Sequence, residues 1–195
     1  MLFTCVQPFT SFLLCSKPEW YRCEWIWDKE NASNFANANR QPLKQHEHIL
    51  VFGKNPTRYF PQKILGKKNH VQGLTKPNES ELRVIKKRTN PAIDGMKYPK
   101  SIVCFPKHSS QSKYHPTEKP VSMLEYFIRT YSLEGETILD NTMGSGSTAV
   151  ACIKTERDFI GMENVKKFYD IAVSRTIVAQ KQYESQGRLF DTVQK

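Results

Sequence analysis

Asp140, Gly144, Gly146, Ser147, Thr148 and Glu163 stand within one short stretch, TILDNTMGSGSTAVACIKTERDFIGMEN (137–164). Their types and spacing suit the binding of a nucleotide-like cofactor. Asp140 closes an apolar run, and Gly144 and Gly146 allow a tight turn and close approach of a ligand to backbone. Ser147 and Thr148 then open a helix, whose first N–H groups have no partner inside it. Glu163 follows a second apolar run, 17 residues beyond Gly146. An acid there can accept hydrogen bonds from two ribose hydroxyls. The pattern leaves several nucleotide cofactors open. Ala149 stands where the third glycine of a G-x-G-x-x-G fingerprint would be, which counts against a nicotinamide oxidoreductase.

These residues need a strand-loop-helix-strand unit to hold them. Thr137–Asp140 reads as a strand, 144–146 as the loop, Ser147–Lys154 as a helix and Phe159–Gly161 as a second strand. Asn164 can cap a last helix with Val165, Phe168, Tyr169 and Ala172 on one face. Upstream, Thr117 can cap a helix with Pro120 in its first turn, and Val121, Leu124, Phe127, Ile128 and Tyr131 follow at helical spacing. At the start of the chain, 2–6 reads as a buried strand and 8–16 as a helix. YRCEWIWDK (21–29) and EHILVFG (47–53) read as strands that can pair antiparallel across a long connection. The tail after Ser185 is polar and expected to fray.

The 195 residues carry 38% hydrophobic and 11% aromatic residues, which describes a globular chain with room for one ordinary core. Net charge is +10. Between Lys54 and Lys113 stand 14 Lys or Arg against three acids, whereas the rest of the chain holds 15 basic and 16 acidic residues. The basic excess therefore sits in one block, which suits a polyanion such as nucleic acid. Its prolines and glycines exclude long helices, and Leu82–Lys87 is its best strand. Five cysteines without a C-x-x-C pair give neither a disulfide framework nor a zinc pattern, and reduced cytoplasmic thiols are expected. No run approaches the length of a membrane span, and Met1–Cys15 lacks the basic start and cleavage site of a secretory signal.

HPTEKP (115–120), ILDNTMGSGSTAVAC (138–152) and RDFIGMEN (157–164) resemble motifs X, I and II of the β-group amino-methyltransferases that act on DNA. Their order is the circularly permuted order of that group. QPFTSFLLCS (7–16), YRCEWIWDKENASNF (21–35) and RQPLKQHEHILVFGK (40–54) are similar to the segments before its target recognition region, so the resemblance covers 2–183. It implies an α/β, Rossmann-like methyltransferase fold with a mostly parallel sheet, here incomplete and carrying a basic insert. The implied divisions are 1–53 and 114–184 for the core, 54–113 for the insert and 185–195 for the tail.

The resemblance also implies an activity, methyl transfer from S-adenosylmethionine to adenine N6 in double-stranded DNA, as in restriction-modification. Cytosine N4 is the alternative target. Asp140, Gly144, Gly146, Ser147 and Thr148 would hold the methionine part of the cofactor and Glu163 the ribose, with His115, Lys119 and Pro120 closing over it. Lys67, Lys68, Lys86, Lys87 and Arg88 would meet DNA, and Trp25, Trp27 and Phe35 either line a pocket for the flipped base or, as readily, pack in the core. No metal is implied.

The family's catalytic motif, an acid or amide followed by two prolines and an aromatic residue, has no counterpart, since the chain contains no Pro-Pro. No catalytic residue is therefore assigned. In the family that motif ends a strand lying between those matching 137–140 and 2–6. The chain is expected to be a fragment, or half of a complex whose partner supplies the strand, and to be inactive alone. A non-catalytic DNA- or cofactor-binding subunit is the competing reading.

Overall fold

The computed structural model describes residues 1–66, 95–106 and 114–193, with side chains to Ser185. They form two compact units, Met1–Phe60 with Ser101–Lys195, and Pro61–Lys100.

The larger unit contains strands β1 (Leu2–Cys5), β2 (Tyr21–Ser33) and β3 (Lys44–Phe52), with helix α1 (Phe9–Ser16) between the first two. In the smaller unit, β4 (Ile64–Leu65) and β5 (Met96–Lys97) form a two-stranded antiparallel ribbon. Within the larger unit again follow β6 (Ile102–Cys104), α2 (Val121–Tyr131), β7 (Thr137–Asp140), α3 (Ser147–Lys154), β8 (Asp158–Gly161) and α4 (Lys166–Val193).

One sheet runs β1-β3-β2-β6 and a separate pair is β7-β8. β3 is antiparallel to both β1 and β2, whereas β2-β6 and β7-β8 are parallel. The sheet is thus mixed where a mostly parallel one was expected. β2 and β3 follow each other across a loop, which permits an antiparallel pair, while β7 and β8 need the α3 crossover.

Period-2 patterning explains β2. Trp25, Trp27 and Lys29 are buried on one face, and the alternate residues Glu24, Ile26 and Asp28 are less buried. In β3, Ile49, Leu50, Val51 and Phe52 are all buried, because both sheet faces are covered there. Ile49 and Val51 pack with Trp25, Trp27, Met123 and Phe127 of α2. Leu50 and Phe52 pack with Cys5 and with Leu13 and Leu14 of α1. The adjoining flank of α2 places Ile128 with Ala151, Cys152, Ile138 and Phe159. One amphipathic helix therefore holds both the four-stranded sheet and the β7-β8 pair.

α2 starts at Val121, later than the expected cap at Thr117. Pro120 is buried and extended, with ψ 131°, so the segment before it stays out of the helix. The residue preceding a proline disfavours helical backbone, which accounts for the late start. α4 runs on to Val193, where fraying was expected after Ser185. On its first turns Ala172 is buried, but Tyr169 and, just before the helix, Val165 are exposed. The expected Leu82–Lys87 strand lies outside the described residues.

β1 and β7 are not paired with each other. Both line one cleft of about 770 Å³, together with Phe9, Met123, Phe127, Ile128 and residues of the 141–148 loop. The carbonyl of Glu136, just before β7, accepts from Asp158, and that of Asp140 accepts from Met162, just past β8, so the backbone groups of Thr137 and Leu139 point the other way. Met1 and Phe52 exchange both backbone bonds, so by alternation Leu2 and Thr4 direct theirs away from β3.

Candidate functional site

Asp140 ends β7 and anchors the loop that follows. Its Oδ1 accepts the Thr142 N–H at 3.1 Å, and its Oδ2 accepts the Thr148 hydroxyl at 2.5 Å. The carboxylate thus ties the end of the strand to the first turn of α3. The loop reverses at two glycines. Gly144 has φ 53° and Gly146 φ 81°, both left-handed. A Cβ on Gly146 would lie 2.8 Å from the Cβ of Ala172 on α4, so glycine is also what lets helix and loop touch. Gly146 caps α3 without any side-chain hydrogen bond to the first helical N–H groups.

Glu163 lies just past β8 and faces the same loop. Its Oε2 accepts the Gly144 N–H at 2.9 Å and its Oε1 accepts the Val165 N–H at 2.9 Å. Each oxygen retains a lone pair, so two further donors can be accepted. A recess of about 310 Å³ adjoins it, lined by Asn141, Thr142, Met162, Glu163 and Asn164.

The 114–120 segment forms the opposite wall. The His115 ring stacks edgewise on Phe168, with centroids 4.2 Å apart, and lies against Gly144. Its Nδ1 is 3.2 Å from the Thr117 N–H, which donates to it. Lys119 donates to the Thr117 carbonyl at 3.1 Å and pairs with Glu47 at 3.6 Å, and Glu47 also holds the buried Lys29. His115, Thr117, Glu118, Lys119, Asp140, Gly144, Ser147 and Thr148 all line the larger cleft. Glu163 opens onto the smaller recess, and Pro120 is buried at the helix start.

Trp25 and Trp27 are core residues, 5% and 1% exposed, and this removes them from any base pocket. Trp25 stacks edge-on against Phe127 and donates to the Tyr131 hydroxyl at 2.8 Å, while Trp27 donates to the Phe105 carbonyl at 2.8 Å. Alternation along β2 turns both rings toward α2. Phe35, on a short 3-10 turn, is exposed. Lys67, Lys68, Lys86, Lys87 and Arg88 lie outside the described residues. Among the described residues no cluster of His, Cys, Asp or Glu suits a metal ion, and no helix is long and apolar enough to cross a membrane.

Sequence reasoning missed two contributors, Glu118 and Arg175. Arg175 comes from α4 and bonds the Ser145 carbonyl and Glu118. Its helical register with Ala172 was the available signal.

The family model for DNA methylase matches residues 9–174. The chain belongs to the DNA methylase family. The type II methyltransferase M.HpaI of Haemophilus parainfluenzae is 27% identical over 139 residues, which is 67% of this chain and 38% of that protein. The curated relatives it matches are spanned over about a quarter to two fifths of their length. Among solved structures, the M1.HpyAVI–SAM complex aligns with TM-score 0.60 and 24% identity over 90% of this chain and 72% of that one. The cytosine-N4-specific PvuII DNA methyltransferase aligns with TM-score 0.59 and 11% identity over 93% and 68%. At these identities the likeness is one of fold, a Rossmann-like methyltransferase fold with a partial sheet.

Proposed function

We propose that this chain is the cofactor-holding part of a DNA amino-methyltransferase, using S-adenosylmethionine to methylate adenine N6 in duplex DNA in the cytoplasm. The observation that carries the reading is the double clasp on the glycine loop: Asp140 on Thr142 and Thr148, and Glu163 on Gly144 and Val165.

The residues fit the cofactor. Gly144 and Gly146 let the loop turn at positive φ and pack against His115 and Ala172, α3 has no side-chain cap, and Glu163 keeps acceptor capacity beside an open recess. In this reading Asp140 and 144–148 hold the amino-acid portion and Glu163 the ribose diol. When bound, the cofactor supplies an activated methyl group. His115 walls the site by its packing on Phe168, while Lys119 and Pro120 fasten the strap to β3 and α2. Adenine as the target rests on the similarity of NTMGSGST and WIWDK to adenine-type members, and cytosine N4 is the alternative.

The acceptors that position the target amine come, in this reading, from a Pro-Pro-aromatic strand seated in the cleft between β1 and β7. The backbone groups that β1 and β7 turn away from their partner strands and the apolar residues of the lining support it. A partner polypeptide or adjoining segment carries that strand, and this chain alone does not turn over. The non-catalytic subunit is the second reading, favoured by the absence of Pro-Pro. DNA is held by the basic insert, with Lys67, Lys68, Lys86, Lys87 and Arg88 on phosphates. Each such contact contributes a slope of about −0.9 in log affinity against log salt. Neutralising Lys86, Lys87 and Arg88 together should flatten that slope, and an unchanged slope removes them from the interface.

Calorimetric titration with S-adenosylmethionine tests the cofactor assignment. Asp140→Ala and Glu163→Ala should each weaken binding about tenfold or more, and unchanged affinity in both refutes it.

A further inference from the structure

Arg175 links three segments that are distant in sequence. Its Nη1 lies 2.7 Å from Glu118 Oε1 and 2.9 Å from both the carbonyl and the hydroxyl of Ser145. Its guanidinium also covers the Tyr114 ring at 4.6 Å. Glu118 Oε1 accepts the Ser147 hydroxyl at 3.0 Å. The two side chains are 17% and 6% exposed. The strap, the glycine loop and α4 thus meet at one desolvated ion pair. Such a pair is strongly disrupted by loss of either partner, because the remaining charge stays buried. Arginine suits the place, since its planar fork lies over the Tyr114 ring while its Nη1 serves the acceptors.

We propose that Glu118 and Arg175 are positioning residues that lock strap 114–118 and loop 143–147 into a single unit, so the wall of the cofactor site is set before ligand arrives. The strap is then not a lid that closes on binding. The inference rests on the reading of that loop as the cofactor loop.

Other contacts point the same way. His115 is held between Phe168 and Gly144 on one side of the pair. On the other, Lys119 is fastened to Glu47. The strap is therefore fixed at both ends and in the middle.

Hydrogen–deuterium exchange and S-adenosylmethionine titration on the full chain test this, with Glu118→Gln, Arg175→Met, their double variant and Arg175→Lys. Either single substitution should speed exchange of 114–120 and 141–148 together by about tenfold, the factor that 1.4 kcal/mol of coupling produces. Exchange of 49–52 should be unchanged, and the double variant should be no worse than either single one. Arg175→Lys, which keeps the charge but loses the fork, should fall between. The cofactor Kd should rise by the same factor as loop exchange.

Faster exchange only around the substituted residue, or additive effects in the double variant, overturns the Glu118–Arg175 lock. If Asp140→Ala abolishes cofactor binding while the Glu118 and Arg175 variants bind normally, the lock fails and the cofactor reading stands. If the two segments open together but the chain does not bind cofactor, the lock stands and that reading fails.

Discussion

Glu163 accepts the backbone N–H of Gly144 at 2.9 Å across 19 residues of sequence, so the second strand directly shapes the loop that follows the first. The same carboxylate takes the Val165 N–H at 2.9 Å. Removing it leaves two amides without their acceptor. Hydrogen bonds to charged groups are worth about 1.5–3 kcal/mol when well shielded. Glu163 is half-buried, so Glu163→Ala should cost roughly 1–2 kcal/mol in urea denaturation, and Glu163→Gln less because one oxygen remains.

Gly146→Ala should be more damaging than a surface change. It places an L side chain at φ 81°, which costs about 1–2 kcal/mol, and drives its Cβ to 2.8 Å from Ala172 Cβ. Ala172→Gly removes the Cβ contact but leaves the Ala172 Cα at 2.9 Å and the backbone strain, so its rescue should be partial. Thermal melts of the two single variants and the double one should show this partial rescue.

Trp27→Ala should lower stability by about 3–5 kcal/mol, the range for a large buried aromatic. The ring is 1% exposed among Ile49, Val51 and Met123. Phe35→Ala should change stability little, since that ring is 68% exposed. Equal effects in denaturant titrations would place Trp27 outside the core.

Much of the fold was legible because its patterns are local. The 137–164 unit followed from glycine placement and two short apolar runs, and β2 and β3 followed from alternation. The roles of the tryptophans were not settled by sequence, since an aromatic on a strand reads the same whether it faces a helix or a ligand. The contacts of α2 decided that question. The Glu118–Arg175 pair was missed because its partners are 57 residues apart, and the helical register of Arg175 with Ala172 does not say which segment it meets. The start of α2 was misplaced because proline fits both a first helical turn and the extended segment before it.

Alkaline pH should weaken the fold through Cys152. Burial pushes its thiol up to about 12 from a value of 9.0, and Asp140 adds to the shift. A thiol raised on folding binds its proton more tightly in the native state. Stability is therefore full below pH 9 and falls as pH rises toward 12. Denaturation midpoints measured across that window should decline, and Cys152→Ala should remove part of the slope. Cys104 should alkylate slowly at pH 8, because the Glu30 carboxylate that accepts its S–H holds that thiol up to about 11.

Transfer of labelled methyl groups from S-adenosylmethionine to duplex DNA tests the proposed function most directly. It should be measured for residues 1–195 alone and with a second polypeptide bearing a strand that ends in Asp-Pro-Pro-Tyr or Asn-Pro-Pro-Tyr. The expected result is no transfer by the chain alone and transfer to adenine once the second polypeptide is added. Turnover by the chain alone would show that the amine acceptors lie within it. No transfer in either case would contradict the assignment of this chain as the cofactor-holding part of a methyltransferase.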